Sequence, residues 1–582
     1  MKSLLIANRG EIAVRIIRTA RKMGLRTVAV YSEIDRDALH VELADEAWNV
    51  GTAAAAESYL RIQRLLEIAR EAEVDAIHPG YGFLAENARF ATAVMDAGLT
   101  WVGPPPEAIS KMGDKIASRL AAKQAGVAPV PGTLETLESL AKVRSAAEEF
   151  GYPVAIKAAH GGGGKGLRVV EDPESLAEAF EGAKREADAY FGSSEVYVER
   201  YIARPRHIEA QIIVDRHGNA VFMGERDCSV QRRHQKLIEE TPAPGLTDRQ
   251  RNQMGKAALA VAKACGYENA GTVEFLVDPA GGFYFLEMNT RLQVEHTITE
   301  MVTGIDLVQE QIAAADGEPL SFKSVDPRGH AIEFRINAED PARDFIPNPG
   351  KVVEYREPAG HFVRVDSWIT PGTSISQYYD NLMAKLVVWG RDRPEAIARG
   401  RRALEEFHVT GVATTIPAHL EILGTDAFVR GEHHTRFVDE LDFTRIAHAQ
   451  SSVLPEDESL EERKMTVEVG GRRFVVRFWV PEVAPAAGGS TRPAPRRRPP
   501  KLTHAPRVSG VEAGVIAAPM QGTIVKIHVQ AGQTVKAGDP ICVLEAMKME
   551  NEVQTPVAGD VVDLRVKTGD TVSAGSVIAV VR

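Results

Sequence analysis

Cysteine is scarce: the chain of 582 residues has three (Cys228, Cys265, Cys542), far apart and in no C-x-x-C pairing. That excludes a disulfide scaffold and a cysteine zinc site. No apolar run approaches the ~20 residues that a membrane span needs. The opening segment Met1–Arg9 reaches charge too early for a secretory leader. A basic excess is also missing, since 69 Lys+Arg stand against 80 Asp+Glu for a formal charge of −11. A nucleic-acid partner would call for a basic face. These absences leave a soluble protein of a reducing, cytoplasmic compartment, with neither membrane nor nucleic acid as partner. Hydrophobic residues make up 44%, enough for ordinary cores. At about 150 residues per domain the length suggests roughly four domains.

The chain begins as alternating strands and helices. Ser3–Ala7 is an apolar strand, Glu11–Lys22 has helical spacing (Ile12, Ile16, Ala20), and Arg26–Tyr31 is a second strand. This is a βαβ unit, predicting an α/β N-terminal domain with a parallel sheet. From about Gly113 to Leu320 the pattern reads as short strands, hairpins and glycine-rich loops. Beyond His330 it is mixed again, with a strand at Ala384–Trp389 and a helix around Pro394–Glu405. Met465–Val469 and Arg472–Val480 flank Gly470-Gly471, the signature of a two-residue hairpin.

Between Pro481 and Gly510 lie seven prolines (481, 485, 493, 495, 499, 500, 506), six Lys/Arg and one acid. Such a stretch cannot bury a core and reads as a tether. At about 3.1 Å per residue it spans up to roughly 90 Å. The basic run Arg496–Arg498 within it also reads as a nucleic-acid patch, but the surrounding prolines favour the tether. After it comes an internal repeat. Pro519, Gly522, Val525, Val529, Gly532, Val535, Gly538, Ile541 and Val543 recur 37 residues later as Pro556, Gly559, Val562, Val566, Gly569, Val572, Gly575, Ile578 and Val580. Glycines at turns and alternating valines predict two similar β-halves packed face to face. Glu545–Glu550 joins the halves and puts Lys548 near a hairpin tip, flanked by two methionines that a turn does not need.

Three further segments carry chemistry. In Lys157–Gly166, Gly161-x-Gly163-x-x-Gly166 matches a dinucleotide fingerprint only superficially, because a strand (Leu167–Val170) follows where a helix is required. No Ser or Thr follows Lys165-Gly166, so it is not a P-loop. A strand–glycine loop–strand instead makes a flap whose N–H groups can close over phosphates, with Lys157 adding a cation; the alternative is a flexible turn. In the hairpin Val273–Glu287, Glu274 falls opposite Leu286 or Glu287. Facing acids repel unless a cation lies between them; Mg²⁺ on nucleotide phosphates is the candidate, and solvated surface acids the alternative. Glu287-x-Asn289-x-Arg291-x-Gln293-x-Glu295 follows. If extended, it places two carboxylates, two amides and a guanidinium on one face. The donor-rich run Cys228–Lys236 reads equally as a basic loop.

Ala546-Met547-Lys548-Met549 within its repeat resembles the attachment site of biotinyl carrier domains, with a lipoyl domain as the second reading. Met1–Ala447 resembles the biotin carboxylase branch of the ATP-grasp enzymes. The segments that carry this are His78–Asn87, Gly113-Asp114-Lys115, the glycine loop, Glu225–Ser229 with Gln231–Lys236, Glu287–His296, and Glu333–Glu339. The implied fold is multidomain: an α/β N-terminal domain (1–113), an α+β ATP-grasp domain (114–320) with a mobile glycine-loop subdomain at about 131–203, and an α+β C-terminal carboxylase domain (330–447). A hairpin and Pro-rich linker (448–510) then lead to an all-β, flattened-barrel, lipoyl-like biotinyl domain (511–582). Two departures stand out: Arg200 where Lys is expected, and Phe334 where Cys is common.

The resemblance further implies that Lys115 and Lys157 contact ATP phosphates beneath Gly161, Gly162, Gly163, Gly164 and Gly166. Glu199, Ile202, His207, Gln231, His234 and Leu276 line the nucleotide site, and Glu274, Glu287 and Asn289 hold Mg²⁺ or Mn²⁺. Lys236, Arg291, Gln293 and Val294 surround bicarbonate, with Glu295 as its base. Arg335 stabilises the biotin enolate, and Tyr81, Gly82 and Gln293 border the biotin, which Lys548 carries covalently. The implied activity is ATP-dependent carboxylation of biotin through carboxyphosphate, as in α subunits of actinobacterial acetyl-/propionyl-CoA carboxylases. The implied partners are a separate carboxyltransferase β subunit, a biotin protein ligase, and copies of the chain within a larger hetero-oligomer. Two other readings stay open. Another ATP-grasp ligase would leave Lys548 and Arg335 unexplained, and a non-catalytic scaffold would be expected to have broken metal acids or a broken flap.

Overall fold

The computed structural model describes residues 1–159, 167–191, 193–233, 235–446, 460–469, 472–481, 514–519, 522–546, 549–572 and 575–582. It forms two compact units, one built on Met1–Ala449 and one on Gln450–Ala546 with Glu550–Arg582.

The first unit opens with β1 (Ser3–Ile6), α1 (Gly10–Lys22), β2 (Arg26–Ser32), β3 (Glu46–Gly51), β4 (Ala76–His78) and β5 (Thr100–Trp101). The strands make one parallel sheet in the order β3-β2-β1-β4-β5. Ile12, Ile16 and Ala20, the helical stripe read from sequence, pack with Leu4 and Ile6 on one face. Leu5, Val28 and Ile77 close the other.

Next come β6 (Val154–Ala158), β7 (Leu167–Val170) and β8 (Val196–Arg200), an antiparallel sheet ordered β7-β6-β8. Lys157 pairs with Leu167, so the strands flanking the glycine loop are partners, as a flap requires. The loop itself lies outside the described residues.

The largest element is a single antiparallel sheet of eight strands. It contains β9 (Arg206–Val214), β10 (Ala220–Arg232), β11 (Gln235–Thr241), β12 (Asn269–Val277), β13 (Phe283–Asn289) and β14 (His330–Asn337), followed by Val363–Ser367 and Leu382–Gly390. The order is β13-β12-β9-β10-β11-β14, then Leu382–Gly390 and Val363–Ser367. Glu239 on β11 pairs with Glu333 on β14, so the sheet runs unbroken from the ATP-grasp segment into the C-terminal segment.

The region from Gly113 to Leu320 is more helical than its pattern suggested. Lys115–Gln124, Leu140–Phe150, Leu176–Phe191, Asp248–Ala264, His296–Thr303 and Leu307–Ala315 are all helices. Their alanine and charged residues are good helix formers, but short apolar stripes interrupted by loops hid the 3.6 period. The strands are also long, with β10 running for 13 residues.

In the second unit, Leu460–Val469 and Arg472–Pro481 form a two-stranded antiparallel ribbon with Val469 paired to Arg472. That is the predicted hairpin, with a longer first strand; Gly470 and Gly471 lie outside the described residues. Beyond the linker, two four-stranded sheets carry the repeat into three dimensions. Gly522 pairs with Val572, and its image Gly559 pairs with Val535. Lys526 pairs with Val543, and Asp563 with Val580. Gly532 N–H donates to the Val561 carbonyl at 2.7 Å, as Gly569 N–H does to Ile524. The short strand of each half thus completes the sheet of the other. Repeat partners are buried alike (Val529 and Val566, Val535 and Val572, Ile541 and Ile578). Pro540–Ala546 and Met549–Gln554 are neighbouring strands; Met547 and Lys548, which join them, lie outside the described residues. Among the described residues no helix is long and apolar enough to cross a membrane.

Candidate active site

Strand pairing starts the site. On β12, Glu274 stands opposite Glu287 of β13 on one side and Glu209 of β9 on the other. Three carboxylates in one row across three strands repel, and need cations. Lys236, at the start of β11, supplies one: its Nζ donates to Glu209 (2.7 Å), Glu274 (3.1 Å) and Glu295 (2.5 Å). Arg335 on β14 supplies another, with Nε on Glu239 at 2.5 Å and Nη2 on Glu295 at 2.8 Å. His207 Nε2 lies 2.9 Å from the second Glu274 oxygen. Arg226, wholly buried, braces the row from below by donating to Glu209 at 2.5 Å and Gln211 at 2.7 Å.

The electrostatics follow from this arrangement. Burial alone would drive Glu295 towards its neutral form, but Lys236, Arg335 and Arg226 outweigh it and hold the carboxylate well below its ordinary range. Glu274 is likewise held low against burial by Lys236 and His207. His207 is raised, the Glu274 charge overcoming its burial. Glu287 goes the other way: burial first, then the charge of Glu274, raises it, with Lys115 opposing. Burial lowers Lys115, and nearby Lys157 adds to that.

The segment after β13 differs from the extended row read from sequence. The strand ends at Asn289, the chain turns, and Glu295 directly precedes the helix His296–Thr303. The side chains converge nevertheless. Asn289 and Gln293 amides donate to Glu274 at 2.8 and 3.1 Å, and Arg291 reaches Asn289 at 2.9 Å and Gln293 at 3.3 Å. A turn places them around Glu274 instead of along one strand face. Arg291 is also tied at 2.8 Å to Glu86, from the segment His78–Asn87.

The remaining candidates lie around this cluster. Glu199 on β8 is clamped by Arg119 at 3.0 Å and by Lys157. Leu276 is paired with His207, and Gln231 with Lys236. Ile202 lies just past β8, partly buried. The Tyr81 hydroxyl donates to Glu11, which Lys385 meets at 2.9 Å; Lys385 also holds the Val294 carbonyl at 2.9 Å. Tyr81 is thereby linked to the Gln293–Glu295 turn. Gly82 has φ +70 and open space where a Cβ would project. Gly161, Gly162, Gly163, Gly164, Gly166, His234 and Lys548 lie outside the described residues.

Sequence reading missed Glu209, Arg226, Glu239, Glu333, Glu11 and Lys385. A signal existed for some: His207, Glu209 and Gln211 alternate with Ile208, Ala210 and Ile212 along β9. Polar residues at period 2 inside an apolar strand mark a wet or charged face.

Comparison with known families agrees with this layout. Residues 1–109 match the biotin carboxylase N-terminal domain, 114–323 the carbamoyl-phosphate synthase L chain ATP-binding domain, 333–440 the biotin carboxylase C-terminal domain, and 514–581 the biotin-requiring enzyme domain. The chain is 48% identical over 562 residues to the biotin-dependent acyl-coenzyme A carboxylase alpha3 subunit of Mycobacterium leprae, covering 94% of this chain and 93% of that protein. Among solved structures it resembles a biotin carboxylase–βγ-ATP complex from Campylobacter jejuni (TM-score 0.74, 46% identity, 76% of this chain and 99% of that one). It also resembles the biotin carboxylase domain dimer of Hydrogenobacter thermophilus 2-oxoglutarate carboxylase with MgADP, ADP and bicarbonate (TM-score 0.73, 45% identity, 75% and 97%).

Proposed function

Since the chain belongs to the biotin carboxylase family, continuous with a biotin-requiring domain, we propose that the buried cluster around Glu295 is where bicarbonate is activated. The chain carries out ATP-dependent carboxylation of biotin, the work of an acyl-CoA carboxylase α subunit. The observation that carries the site reading is the meeting of Lys236 and Arg335 on one carboxylate, that of Glu295.

In this reading Lys236, Arg291, Gln293 and the Val294 backbone hold bicarbonate, and Glu295 takes its proton as it attacks the γ-phosphate. Bicarbonate is a weak nucleophile, so a positioned base matters. Lys115 and Lys157 neutralise the transferring phosphoryl group. Carboxyphosphate breaks down to CO₂ and phosphate, and the phosphate takes the biotin ureido N–H proton. Arg335 offers its planar guanidinium to the ureido oxygen as charge grows there, with Tyr81 and Gly82 bordering that group. Carboxyphosphate decays in water, so the reaction calls for a site that excludes solvent.

Glu274 and Glu287 face each other, and no cation is hydrogen-bonded to Glu287 among the described residues. With the Asn289 amide they form an oxygen donor set that suits Mg²⁺ or Mn²⁺. When bound, that ion supplies charge neutralisation at phosphate oxygens.

Lys548 receives biotin from a biotin protein ligase, and the carboxylated carrier serves a separate carboxyltransferase subunit. We read the assembly as of acetyl-/propionyl-CoA type, with copies of this chain inside a larger hetero-oligomer and the acceptor chosen by the carboxyltransferase. The ribbon Leu460–Pro481 helps to dock that subunit. It is a self-contained pairing of two ten-residue strands between carboxylase and linker, with two edges to offer. Deleting Met465–Val480 is expected to weaken carboxyltransferase co-purification while carboxylation of free biotin survives; undiminished co-purification would remove this role.

The direct test is ATP hydrolysis by the purified chain with Mg²⁺ and free biotin. Strict dependence on bicarbonate is expected. Hydrolysis indifferent to bicarbonate would point to another acid substrate for the ATP-grasp site.

A further inference from the structure

Two acids near the site have no assigned task. Glu239 on β11 and Glu333 on β14 are direct cross-strand partners in the sheet. Both side chains are 0% exposed. At a directly opposite pair, Cβ atoms are only ~5 Å apart. Glu239 accepts from Arg335 Nε through one oxygen; its other oxygen, Oε2, has no hydrogen-bond partner among the described residues. Glu333 accepts from the Thr297 hydroxyl through one oxygen, and its Oε1 is likewise unpartnered among the described residues.

The cations nearby are already engaged. Lys236 serves Glu209, Glu274 and Glu295. Lys385 is held by Glu11 and the Val294 carbonyl. Arg335 is divided between Glu239 and Glu295. No ion pair reaches Glu333 among the described residues. Of these two buried carboxylates only Glu239 meets a guanidinium, and it shares that with Glu295. Full ionisation of the pair would therefore leave a charge without compensation, which the interior does not tolerate.

We propose that Glu239 and Glu333 hold one proton between them and act as a positioning pair for Arg335, keeping one negative charge behind its guanidinium instead of two. The proposal rests on the reading of Arg335 as the residue that faces the biotin ureido oxygen. With one charge at its back, Arg335 can divide itself between Glu239 and the substrate side of the site. With two, it is drawn back into the sheet and the ureido oxygen loses its partner. Two acids opposed in a dry site ionise one at a time.

The environment agrees. Burial pushes Glu239 up to about 7, with Arg335 opposing and the Glu295 charge adding. Glu333 is raised well above the carboxylate range by burial, opposed by Lys385 and reinforced by Glu239. The groups facing the pair are Arg335 on β14, Lys236 on β11, Cys228 on β10, Lys385 on Leu382–Gly390, Glu295 and Thr297 at the start of the helix His296–Thr303, and Tyr81 in the bend after β4. Loss of the shared proton on the alkaline side is therefore expected to slow the biotin step.

The test uses the full chain and free biotin. In the wild type, kcat for biotin carboxylation should fall by about tenfold as the pair loses its proton, the equivalent of one pK unit of charge interaction. In Glu333→Gln, whose amide stays neutral, that alkaline fall should disappear. An infrared difference spectrum, wild type minus Glu333→Gln at neutral pH, should show the carbonyl stretch of a protonated carboxylic acid. In an enzyme that carboxylates biotin, absence of the band or an unchanged pH profile in Glu333→Gln overturns the shared proton. Should Glu333→Gln not fold, loss of that band from the wild type alone on raising the pH is the expected result, and a spectrum without it refutes the pair. A wild type that shows the band but carboxylates no biotin instead overturns the reading of Arg335.

Discussion

Replacing Glu295 by Gln is expected to lower bicarbonate-dependent ATP turnover by about 10²–10⁴-fold, the usual contribution of a positioned general base. The side chain keeps its shape, so the loss reads chemistry before packing. Lys236 retains Glu209 and Glu274, and Arg335 retains Glu239, so neither cation is stranded. KM for ATP should move little, because Lys115, Lys157 and Glu199 do not contact Glu295. Steady-state kinetics at saturating ATP, with thermal unfolding as the control for folding, checks both statements. A rate within threefold of wild type would remove Glu295 from the base role. A carboxylate pinned by two cations is a weak base at rest. It gains strength as bicarbonate competes for Lys236, whose Nζ the Glu295 carboxylate otherwise holds. Its lowered pKa also sets a stability window. The contribution is complete above the unfolded carboxylate value of about 4.3 and is lost as pH falls from there through the lower folded value.

Replacing Lys548 by Arg is expected to abolish acyl-CoA carboxylation by the assembled complex while leaving carboxylation of free biotin at the wild-type rate. Arg keeps the charge but offers no primary amine for attachment, so the only change is the missing tethered substrate. A tether raises local concentration to the millimolar range, and avidity gains of about 10²–10⁴ follow from that alone. Free biotin at micromolar levels cannot replace it. The measurements are a streptavidin blot, expected to be negative, and acyl-CoA-dependent ATP turnover with the carboxyltransferase added. Retained acyl-CoA carboxylation in the variant would place the biotin elsewhere.

Much of this was legible before the structure, for identifiable reasons. The hairpin centre narrowed the partner of Glu274 to Leu286 or Glu287, and the structure pairs it with Glu287. The β-halves of the carrier were predicted because nine positions repeat at one spacing. The polar run from Glu287 to Glu295 was recognised as a group, but its geometry was not: where the chain turns after Asn289, the Thr290 N–H donates to the Glu86 carboxylate at 3.0 Å. That contact comes from 204 residues away, beyond the reach of local pattern. Glu239 and Glu333 were missed for the same reason. Each gains its meaning only when strand pairing sets the two acids opposite one another.

The crossed strands of the carrier bear on its ancestry and on its hazards. Because Thr534–Val535 pairs with the second half and Thr571–Val572 with the first, neither half has all its strands at home. A single ancestral half would have needed a second copy of itself to close its sheets, so the fold is in effect a homodimer fused head to tail. The same exchange remains open between two neighbouring carriers whose halves come apart, and strand edges freed in this way invite swapped dimers. The buried valines shared between the halves, Val529 with Val566 and Val535 with Val572, are what oppose that exchange.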